Sequence, residues 1–277
     1  LNKKKNVLQT WVGELYLELH RGTLTTHGLV KKQNRKLENK LKAVEFLWSC
    51  ADLELYPTAE LDTSWKKLLI NQFHDIIPGS SINLVYQTTH KEYIEIHKKC
   101  DELIKKASTT LFKKNNSSFV LSNALSYYYK GVINIPNSFI GYNIITESNE
   151  EISTQEINGN VYCHVSLDPF SFTTFYKGEK QKSKKDKNSR LVLENDLVKY
   201  NFSEDGTLIS AVDKETKKNL LGEPGNVLSL YEDRPLNWDA WDIDFYYRDS
   251  LLETAKPIKI NKIKIGPVLG SLEIFYT

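Results

Sequence analysis

The spacing of apolar positions changes near residue 113 of this chain. Before that point, apolar side chains recur at three- and four-residue steps in three runs, with Lys, Arg and Glu between them. After it, apolar and polar residues alternate. Helical spacing followed by alternation predicts an α+β multidomain chain, in which an antiparallel three-helix bundle precedes β-sandwich-type domains.

Each predicted helix carries one apolar stripe. The stripes are Leu29, Gln33, Leu37, Leu41, Val44 and Trp48; Leu61, Trp65, Leu68, Leu69 and Phe73; and Ile82, Val85, Thr89, Tyr93, Ile96, Cys100, Leu103, Ala107 and Leu111. Thr58 is the expected N-cap of the second helix, and Ser80 or Ser81 that of the third. The second helix is expected to end at His74, because Pro78 and Gly79 follow shortly after it and interrupt the helical pattern.

The predicted strands fall on both sides of a charged stretch. Alternation marks residues 119–122, 132–135, 161–165 and 172–175, and a hairpin with an Asp-Gly turn follows over residues 191–212. Strand alternation returns over residues 258–276, and a short strand is also predicted over residues 7–19. The stretch 177–188 is rich in Lys, Glu and Ser, which predicts an exposed linker or mobile hairpin.

Composition narrows the function classes. The chain has 277 residues, 37 Lys and Arg against 35 Asp and Glu, and a net charge of +2. This balance does not favour nucleic acid or an anionic membrane as the partner. Cys50, Cys100 and Cys163 match no metal or redox spacing, which, with no membrane-spanning run, favours a cytoplasmic protein. The chain contains no methionine, and we expect a fragment of a longer protein.

His74 is the sharpest candidate for metal chemistry. A neutral imidazole is a common Zn²⁺ ligand, and a packed bundle would fix its direction. Alternatively, His74 sits at the negative end of the helix dipole with Asp75 as its partner, and spacing alone favours this second explanation. No histidine begins an H-x-D, H-x-H or H-E-x-x-H pattern, so any further ligands are expected mostly outside this chain.

Other polar residues could contact a ligand. His20 follows a predicted strand beside a glycine, in a loop position where side chains meet ligands, although a plain surface histidine fits equally. Trp238, Asp239, Trp241, Asp242 and Asp244 combine aromatic faces with hydroxyl-binding carboxylates, as sugar sites do, or else form an aromatic core hairpin. Glu14 and Glu18 could act as acid or base but are expected to face solvent or form ion pairs.

Nucleotide and serine-hydrolase chemistries lack their motifs. No G-x-x-x-x-G-K-[ST], G-x-G-x-x-G or G-x-S-x-G pattern occurs in the chain. These function classes are therefore not supported.

Four blocks of sequence resemble one enzyme family. They are GELYLELHRGTLTTHGLVKKQNRKLENKLKAVEFL (residues 13–47), LLINQFHDIIPGSSINLVY (68–86), LVLENDLVKYNFSEDGTLISAVDKET (191–216) and YEDRPLNWDAWDIDFYY (231–247). In this order they resemble glycoside hydrolase family 38, the α-mannosidases, and especially its bacterial and cytosolic or vacuolar branch. The stretch 116–187 carries none of this resemblance.

The resemblance implies a domain division. Residues 1–27 would be the tail of a β/α catalytic domain, and residues 28–115 the three-helix bundle of the middle domain. Residues 116–187 would form a small β domain with a linker, and residues 188–277 the start of the C-terminal β-sandwich domain.

The resemblance also implies site roles. His74 would be one ligand of a single Zn²⁺ whose other ligands lie outside this chain, and Asp75 would hydrogen-bond the sugar. His20, Trp238 and Asp239 would contact substrate. The family's nucleophile and acid/base would both lie upstream, so the chain alone is expected to be inactive.

The implied function is hydrolysis of terminal α-linked mannose, with retention, by the whole zinc-dependent enzyme. Its partner would be an α-mannoside oligosaccharide or glycan, and a homo-oligomer is compatible with the sequence. Two alternatives stay open. One is a non-catalytic carbohydrate-binding or scaffold protein, and the other is a glycosidase of different sugar specificity.

Overall fold

A computed structural model describes residues 10–12, 20–180 and 191–277 of the chain, with residues 262–265 described by backbone only. Residues 7–9 and 13–19 of the predicted strand, with Glu14 and Glu18, lie outside these ranges, and residues 10–12 are described but form no strand. Most of the predicted catalytic-domain tail also lies outside them. Residues 181–188 of the predicted linker also lie outside them. Residues 177–180 are described, and they continue a strand rather than forming a linker.

Three helices form the first half of the fold. They are α1 (Gly28–Ser49), α2 (Thr58–Asn71) and α3 (Asn83–Leu111). Trp65 Nε1 of α2 donates to Glu45 Oε1 of α1 over 2.8 Å, and Gln72 Nε2 donates to Glu38 over 2.9 Å. These pairings make α1 and α2 antiparallel. Trp48 Nε1 of α1 donates to the Leu103 carbonyl of α3, which completes the predicted up-down-up bundle.

The buried stripe of α1 differs from the prediction in its first two turns. Val30 is fully buried and Asn34 nearly so, whereas Leu29 is 55% exposed. From Leu37 onward the predicted positions are correct. Four-residue steps advance 40° per step around a helix, and the predicted run from 29 to 41 contains three of them in succession. Alternating steps of four and three from Val30 stay on one face.

The predicted end of α2 and the predicted N-caps of α2 and α3 are also wrong. Helix α2 ends at Asn71, whose side chain donates to the Lys67 carbonyl over 2.9 Å and to Glu92 of α3 over 2.7 Å. His74 therefore lies beyond the helix, and Phe73 and Leu69 are exposed. Thr58 is the first helical residue rather than the N-cap. Ile82, rather than Ser80 or Ser81, occupies the N-cap position of α3, and its side chain makes no capping hydrogen bond.

The first β unit is a sandwich of two antiparallel sheets. One sheet has the order β1-β7-β3-β4 and the other β2-β6-β5. The strands are β1 (Ser118–Asn123), β2 (Tyr129–Ile135), β3 (Tyr142–Thr146), β4 (Glu151–Ile152), β5 (Thr154–Ile157), β6 (Asn160–Leu167) and β7 (Ser171–Lys180). Ile135 and Val165 from one sheet pack against Ile144 and Phe175 from the other. The strands predicted in this region are confirmed.

The second β unit consists of three small antiparallel sheets. The strands are β8 (Val192–Glu194), β9 (Val198–Phe202), β10 (Leu208–Asp213), β11 (Ser229–Tyr231), β12 (Leu251–Thr254), β13 (Pro257–Ile265) and β14 (Gly270–Tyr276). The predicted β9–β10 hairpin is confirmed, and Gly206 supplies its turn with φ +81°. Within the described residues of this unit, Ala211 is the one buried hydrophobic side chain, and the sandwich-type domain expected here stays a prediction.

Aromatic contacts join the bundle to the first β unit. Phe172 of β7 lies 5.2 Å from Phe46 of α1 and 5.2 Å from Phe112, measured between ring centroids. Gln155 of β5 links the two β units, because its side chain accepts from the amides of Val268 and Leu269. These contacts connect the bundle to the first β unit, and the first β unit to the second.

The three cysteines are free thiols. Cys100 and Cys163 are buried, whereas Cys50 is exposed. Burial raises the pKa of each buried thiol to about 11. Among the described residues, no helix has both the length and the apolar character needed to cross a bilayer.

Candidate functional site

Residues 73–80, called here the His-Asp turn, connect α2 to α3 through successive tight turns. The amides of Ile76 and Ile77 both donate to the Phe73 carbonyl, and the Gly79 amide donates to the Ile76 carbonyl. Ile76 and Ile77 pack on the bundle core. Gly79 adopts φ +102°, which an L side chain rarely tolerates, and this allows the chain to turn toward α3.

Side chains from α1 and α3 bind the backbone carbonyls of this turn. Lys31 Nζ donates to the carbonyls of Ile77 over 2.7 Å and Pro78 over 3.2 Å, and also to the Thr26 carbonyl over 2.6 Å. Burial lowers the pKa of Lys31. Tyr86 Oη of α3 lies 3.3 Å from the Asp75 carbonyl, to which it donates. The backbone of the turn is therefore fixed from two helices.

The side chains of His74 and Asp75 point outward from this fixed backbone. His74 is 72% exposed and Asp75 is 49% exposed. His74 Nε2 lies 3.3 Å from Asp75 Oδ2, and Ser80 Oγ lies 3.4 Å from Asp75 Oδ1. An exposed imidazole on a rigid turn can bind an incoming metal, and the carboxylate beside it can accept hydrogen bonds from hydroxyls.

The donor set around His74 is incomplete as a metal site. Within the described residues, no group of three or more His, Cys, Asp or Glu side chains is arranged to hold a metal ion. A catalytic zinc requires about three protein ligands. His74 fits one coordination position, and the described part of the chain does not supply a full set of three ligands around it.

A connecting segment, residues 20–27, lies between the His-Asp turn and the second β unit. The His20 ring meets Trp241 edge-on, with centroids 4.8 Å apart. Its Nδ1 atom is buried and has no hydrogen-bond partner within the described part of the chain. His27 adopts φ +50° and stacks on Tyr86, with ring centroids 3.9 Å apart. His20 therefore packs against Trp241, one of the candidate aromatic residues.

The aromatic loop, residues 232–244, uses its carboxylates differently. Arg21 binds Asp242 through Nε at 2.8 Å and Nη2 at 2.9 Å, and this guanidinium lowers the pKa of the Asp242 carboxyl. Asp244 accepts from the Leu236 amide over 3.0 Å and from a tyrosine hydroxyl. Asp239 is exposed. Of the loop's candidate residues, the structure leaves Asp239 with a carboxylate that faces solvent.

Trp238 is the exposed aromatic side chain of this loop. It is 63% exposed and adopts φ +61°. Its carbonyl accepts from the amides of Trp241 over 2.7 Å and Asp242 over 2.9 Å, which fixes the backbone that carries the indole. An exposed indole on a fixed backbone can stack on the apolar face of a ring-shaped ligand.

Sequence reasoning missed two groups that hold the site together. The sequence position of Lys31 indicates an unusual role. A lysine in the first turn of a helix is unfavourable next to the positive end of the helix dipole, so hydrogen-bond acceptors are expected around its ammonium group. Its partners are the carbonyls of the His-Asp turn. The Arg21–Asp242 pair joins residues 221 positions apart in the chain, and no local pattern indicates it.

Comparison with known proteins identifies the class. Residues 18–111 match the α-mannosidase middle domain, and residues 193–277 match the C-terminal domain of glycosyl hydrolases of family 38. The His-Asp turn lies in the first matched region and the aromatic loop in the second. The chain thus contains regions of two domains of one class of glycosyl hydrolase, separated by residues 112–192.

Curated relatives agree with this class. Mouse α-mannosidase 2C1 is 31% identical over 93% of this chain and 24% of its own length. α-Mannosidase G of Dictyostelium discoideum is 28% identical over 100% of the chain and 29% of its own length, and an α-mannosidase of Saccharomyces cerevisiae is 27% identical over 91% and 21%. The chain spans about a quarter of the length of the curated relatives it matches.

Two solved structures share the fold. A family 38 glycosyl hydrolase from Enterococcus faecalis superposes with a TM-score of 0.64 at 18% identity, covering 95% of this chain and 37% of that one. An α-mannosidase from Enterococcus faecalis V583 gives 0.56 at 18% identity, covering 77% and 34%. These two structures agree with the fold of this chain. The two matched domains show that the chain belongs to glycosyl hydrolase family 38, from which it contains middle-domain and C-terminal-domain sequence.

Proposed function

We propose that this chain is part of a retaining, zinc-dependent α-mannosidase that hydrolyses terminal α-linked mannose from oligosaccharides or glycans. The observation that carries the proposal is the match of both family domains, in order, on either side of the first β unit. The relatives named α-mannosidase support the choice of sugar.

His74 and Asp75 have separate roles in this proposal. His74 supplies one coordination bond to zinc, since its imidazole is exposed and its backbone is fixed. Asp75 accepts a hydrogen bond from a sugar hydroxyl. When bound, zinc would polarise sugar hydroxyls and favour the distorted ring of the transition state. The fixed turn keeps the ligand and the acceptor in a constant relation to each other.

The other proposed substrate contacts lie on the connecting segment and the aromatic loop. Trp238 offers an exposed indole face and Asp239 an exposed carboxylate, which suit the apolar and hydroxyl surfaces of a sugar. His20 packs edge-on against Trp241 of the same loop, and the proposal places its ring beside the substrate there.

The catalytic carboxylates belong to the part of the enzyme outside this chain. A retaining mechanism uses a nucleophilic carboxylate and an acid/base carboxyl about 5 Å apart. The division into residues 1–27, 28–115, 116–187 and 188–277 remains part of the proposal. We expect the chain by itself to be inactive, and we propose a cytoplasmic location for the whole enzyme.

Hydrolysis of two aryl glycosides tests the proposed activity. The whole protein should release the aryl group from an α-mannoside and not from the matching α-glucoside, and chelation of metal should abolish the reaction. Preference for the glucoside would favour the glycosidase of different specificity. Binding of mannosides without hydrolysis, by a metal-replete protein, would favour the non-catalytic carbohydrate-binding alternative.

A ligand substitution tests the role of His74. His74→Ala in the whole protein should lower zinc content and activity together, because removal of one of about three or four ligands weakens the site. His90→Ala on α3 is the matched control, and it should retain both. Unchanged zinc stoichiometry in His74→Ala would exclude the ligand assignment.

A further inference from the structure

The ion pair between Arg21 and Asp242 joins the two matched domains. Arg21 lies in the region that matches the middle domain, and Asp242 lies in the region that matches the C-terminal domain. The guanidinium binds both carboxylate oxygens, and the Asp242 side chain is only 6% exposed. Bidentate pairs of this kind fix orientation as well as distance.

Backbone contacts reinforce this pair. The amides of Gly22 and Thr23 both donate to the Trp241 carbonyl, over 2.9 Å and 3.3 Å. A Cβ atom on Gly22 would lie 3.0 Å from the Asp242 nitrogen and 3.0 Å from the Trp241 carbonyl carbon. The connecting segment thus lies directly against the aromatic loop, and residue 22 leaves little space for a side chain.

The connecting segment in turn lies against the His-Asp turn. The Gly22 carbonyl accepts from Thr26 through its amide over 2.9 Å and its Oγ1 over 2.8 Å. A Cβ atom on Gly79 would lie 2.6 Å from Thr26 Cγ2. Lys31 Nζ bonds the Thr26 carbonyl and the carbonyls of Ile77 and Pro78 at once. A shift of residues 22–26 would therefore move the turn.

A second route leads from the same segment to Asp75. His27 stacks on the Tyr86 ring, and Tyr86 Oη donates to the Asp75 carbonyl and accepts from the Ser81 amide. Ser81 Oγ also donates to the Asp75 carbonyl, over 2.5 Å. Both sides of the turn are thus connected to the segment that Asp242 holds.

We propose that Asp242 is a positioning residue for the His-Asp turn. It acts through Arg21 and the connecting segment, so that the C-terminal domain sets the direction in which His74 presents its imidazole. This inference rests on the proposed function, in which that imidazole binds zinc.

The same loop contains a pair that should not have this role. Arg234 Nη2 lies 2.7 Å from Glu232 Oε1, but the two side chains are 79% and 40% exposed. Exposed pairs contribute little to structure. Glu232→Gln is therefore a matched control for Asp242→Asn, since each replaces one ion-paired carboxylate by its amide in the aromatic loop.

The test uses the whole protein with Asp242→Asn, Arg21→Gln, the double variant and Glu232→Gln. Zinc dissociation constants, melting temperatures and hydrogen exchange of the peptide covering residues 73–81 are measured for each. Loss of a group that orients a metal ligand typically costs about 10–100-fold in metal affinity. Because Asp242 acts through intervening residues, we expect about tenfold weaker zinc binding in Asp242→Asn.

The proposal predicts the same zinc-binding defect in both single variants. Asp242→Asn and Arg21→Gln should bind zinc about tenfold more weakly and exchange faster over residues 73–81, and excess zinc should restore activity. The double variant should be no worse than either single variant, because both remove one interaction. Glu232→Gln should match the wild type.

Two results would overturn the proposal. One is wild-type zinc affinity and wild-type exchange over residues 73–81 in Asp242→Asn. The other is weakened zinc binding that appears only with general unfolding, seen as faster exchange throughout the bundle. A wild-type protein that neither binds zinc nor hydrolyses α-mannosides would instead refute the proposed function, and the exchange measurement would still decide whether Asp242 holds the turn.

Discussion

Replacement of Gly79 by alanine perturbs the His-Asp turn at its tightest point. Gly79 has φ +102°, and its added Cβ would lie 2.6 Å from Thr26 Cγ2, 2.9 Å from Thr26 Cβ and 2.9 Å from the Thr26 carbonyl oxygen. Two of these atoms belong to the side chain of Thr26 and the third to its backbone. A rotation of the Thr26 side chain therefore cannot remove all three contacts.

The expected cost has two parts. A left-handed backbone conformation costs an L residue about 1–2 kcal/mol. Overpacking that forces neighbours to shift costs about 1–3 kcal/mol more. We therefore expect Gly79→Ala to lower the free energy of unfolding of the bundle by about 2–5 kcal/mol, which is a large fraction of a typical domain's stability.

Denaturant unfolding followed by the helical circular dichroism signal measures this effect, because the described α-helices lie in the bundle. Gly28→Ala is the control, since Gly28 starts α1 and a Cβ there would meet nothing within 4 Å. It should stay within about 1 kcal/mol of the wild type. Thr26→Ser removes Cγ2 and keeps the hydroxyl, so it should recover part of the steric cost of Gly79→Ala.

The reasoning would be refuted if Gly79→Ala unfolded at the same denaturant concentration as Gly28→Ala. It would also fail if Thr26→Ser did not lessen the effect of Gly79→Ala. In that case the space beside residue 79 would not limit the turn.

Three further predictions concern the bundle and the thiols. Leu37 is fully buried and Leu29 is 55% exposed. Leu37→Ala should therefore destabilise the bundle by about 2–5 kcal/mol, and Leu29→Ala by less than about 0.5 kcal/mol. Equilibrium unfolding measures both effects. Burial, with Lys40 nearby, lowers the pKa of His97 below 6.5, so the neutral ring is favoured in the folded state. Stability should therefore be retained above pH 6.5 and fall as pH drops through the folded-state pKa, and His97→Gln should weaken this pH dependence in unfolding titrations. Alkylation near neutral pH should modify Cys50 alone in the native protein, as mass spectrometry would show, because burial raises the pKa of the other two thiols to about 11.

The sequence predicted the helices and most strands because their signals are local. Periodicity located α1 and α3 closely, and the Asp-Gly turn located the β9–β10 hairpin. It placed the end of α2 three residues too late, because the apolar run continues through Phe73 although the backbone has already left the helix. There, the side chain of Asn71 bonds the Lys67 carbonyl and a residue of α3, which a periodicity argument does not include.

The sequence indicates candidate site residues, whose roles stay predictions, but it does not indicate the contacts that join them. The exposure of Trp238 and the outward direction of His74 agree with residues that a ligand could reach. The composition of the aromatic loop suggested a set of sugar-binding carboxylates, yet Asp242 is buried against Arg21 and serves the fold. That difference depends on a contact between distant segments, and residue types alone do not distinguish an ion-paired carboxylate from an exposed one.

Anomalous scattering at the zinc edge, from crystals of the whole protein, shows whether His74 binds zinc. We expect a single zinc peak with an imidazole nitrogen of His74 about 2.0–2.1 Å away. The remaining ligands should come from residues outside this chain. A zinc peak elsewhere, with the His74 imidazole still pointing into solvent, would contradict the account.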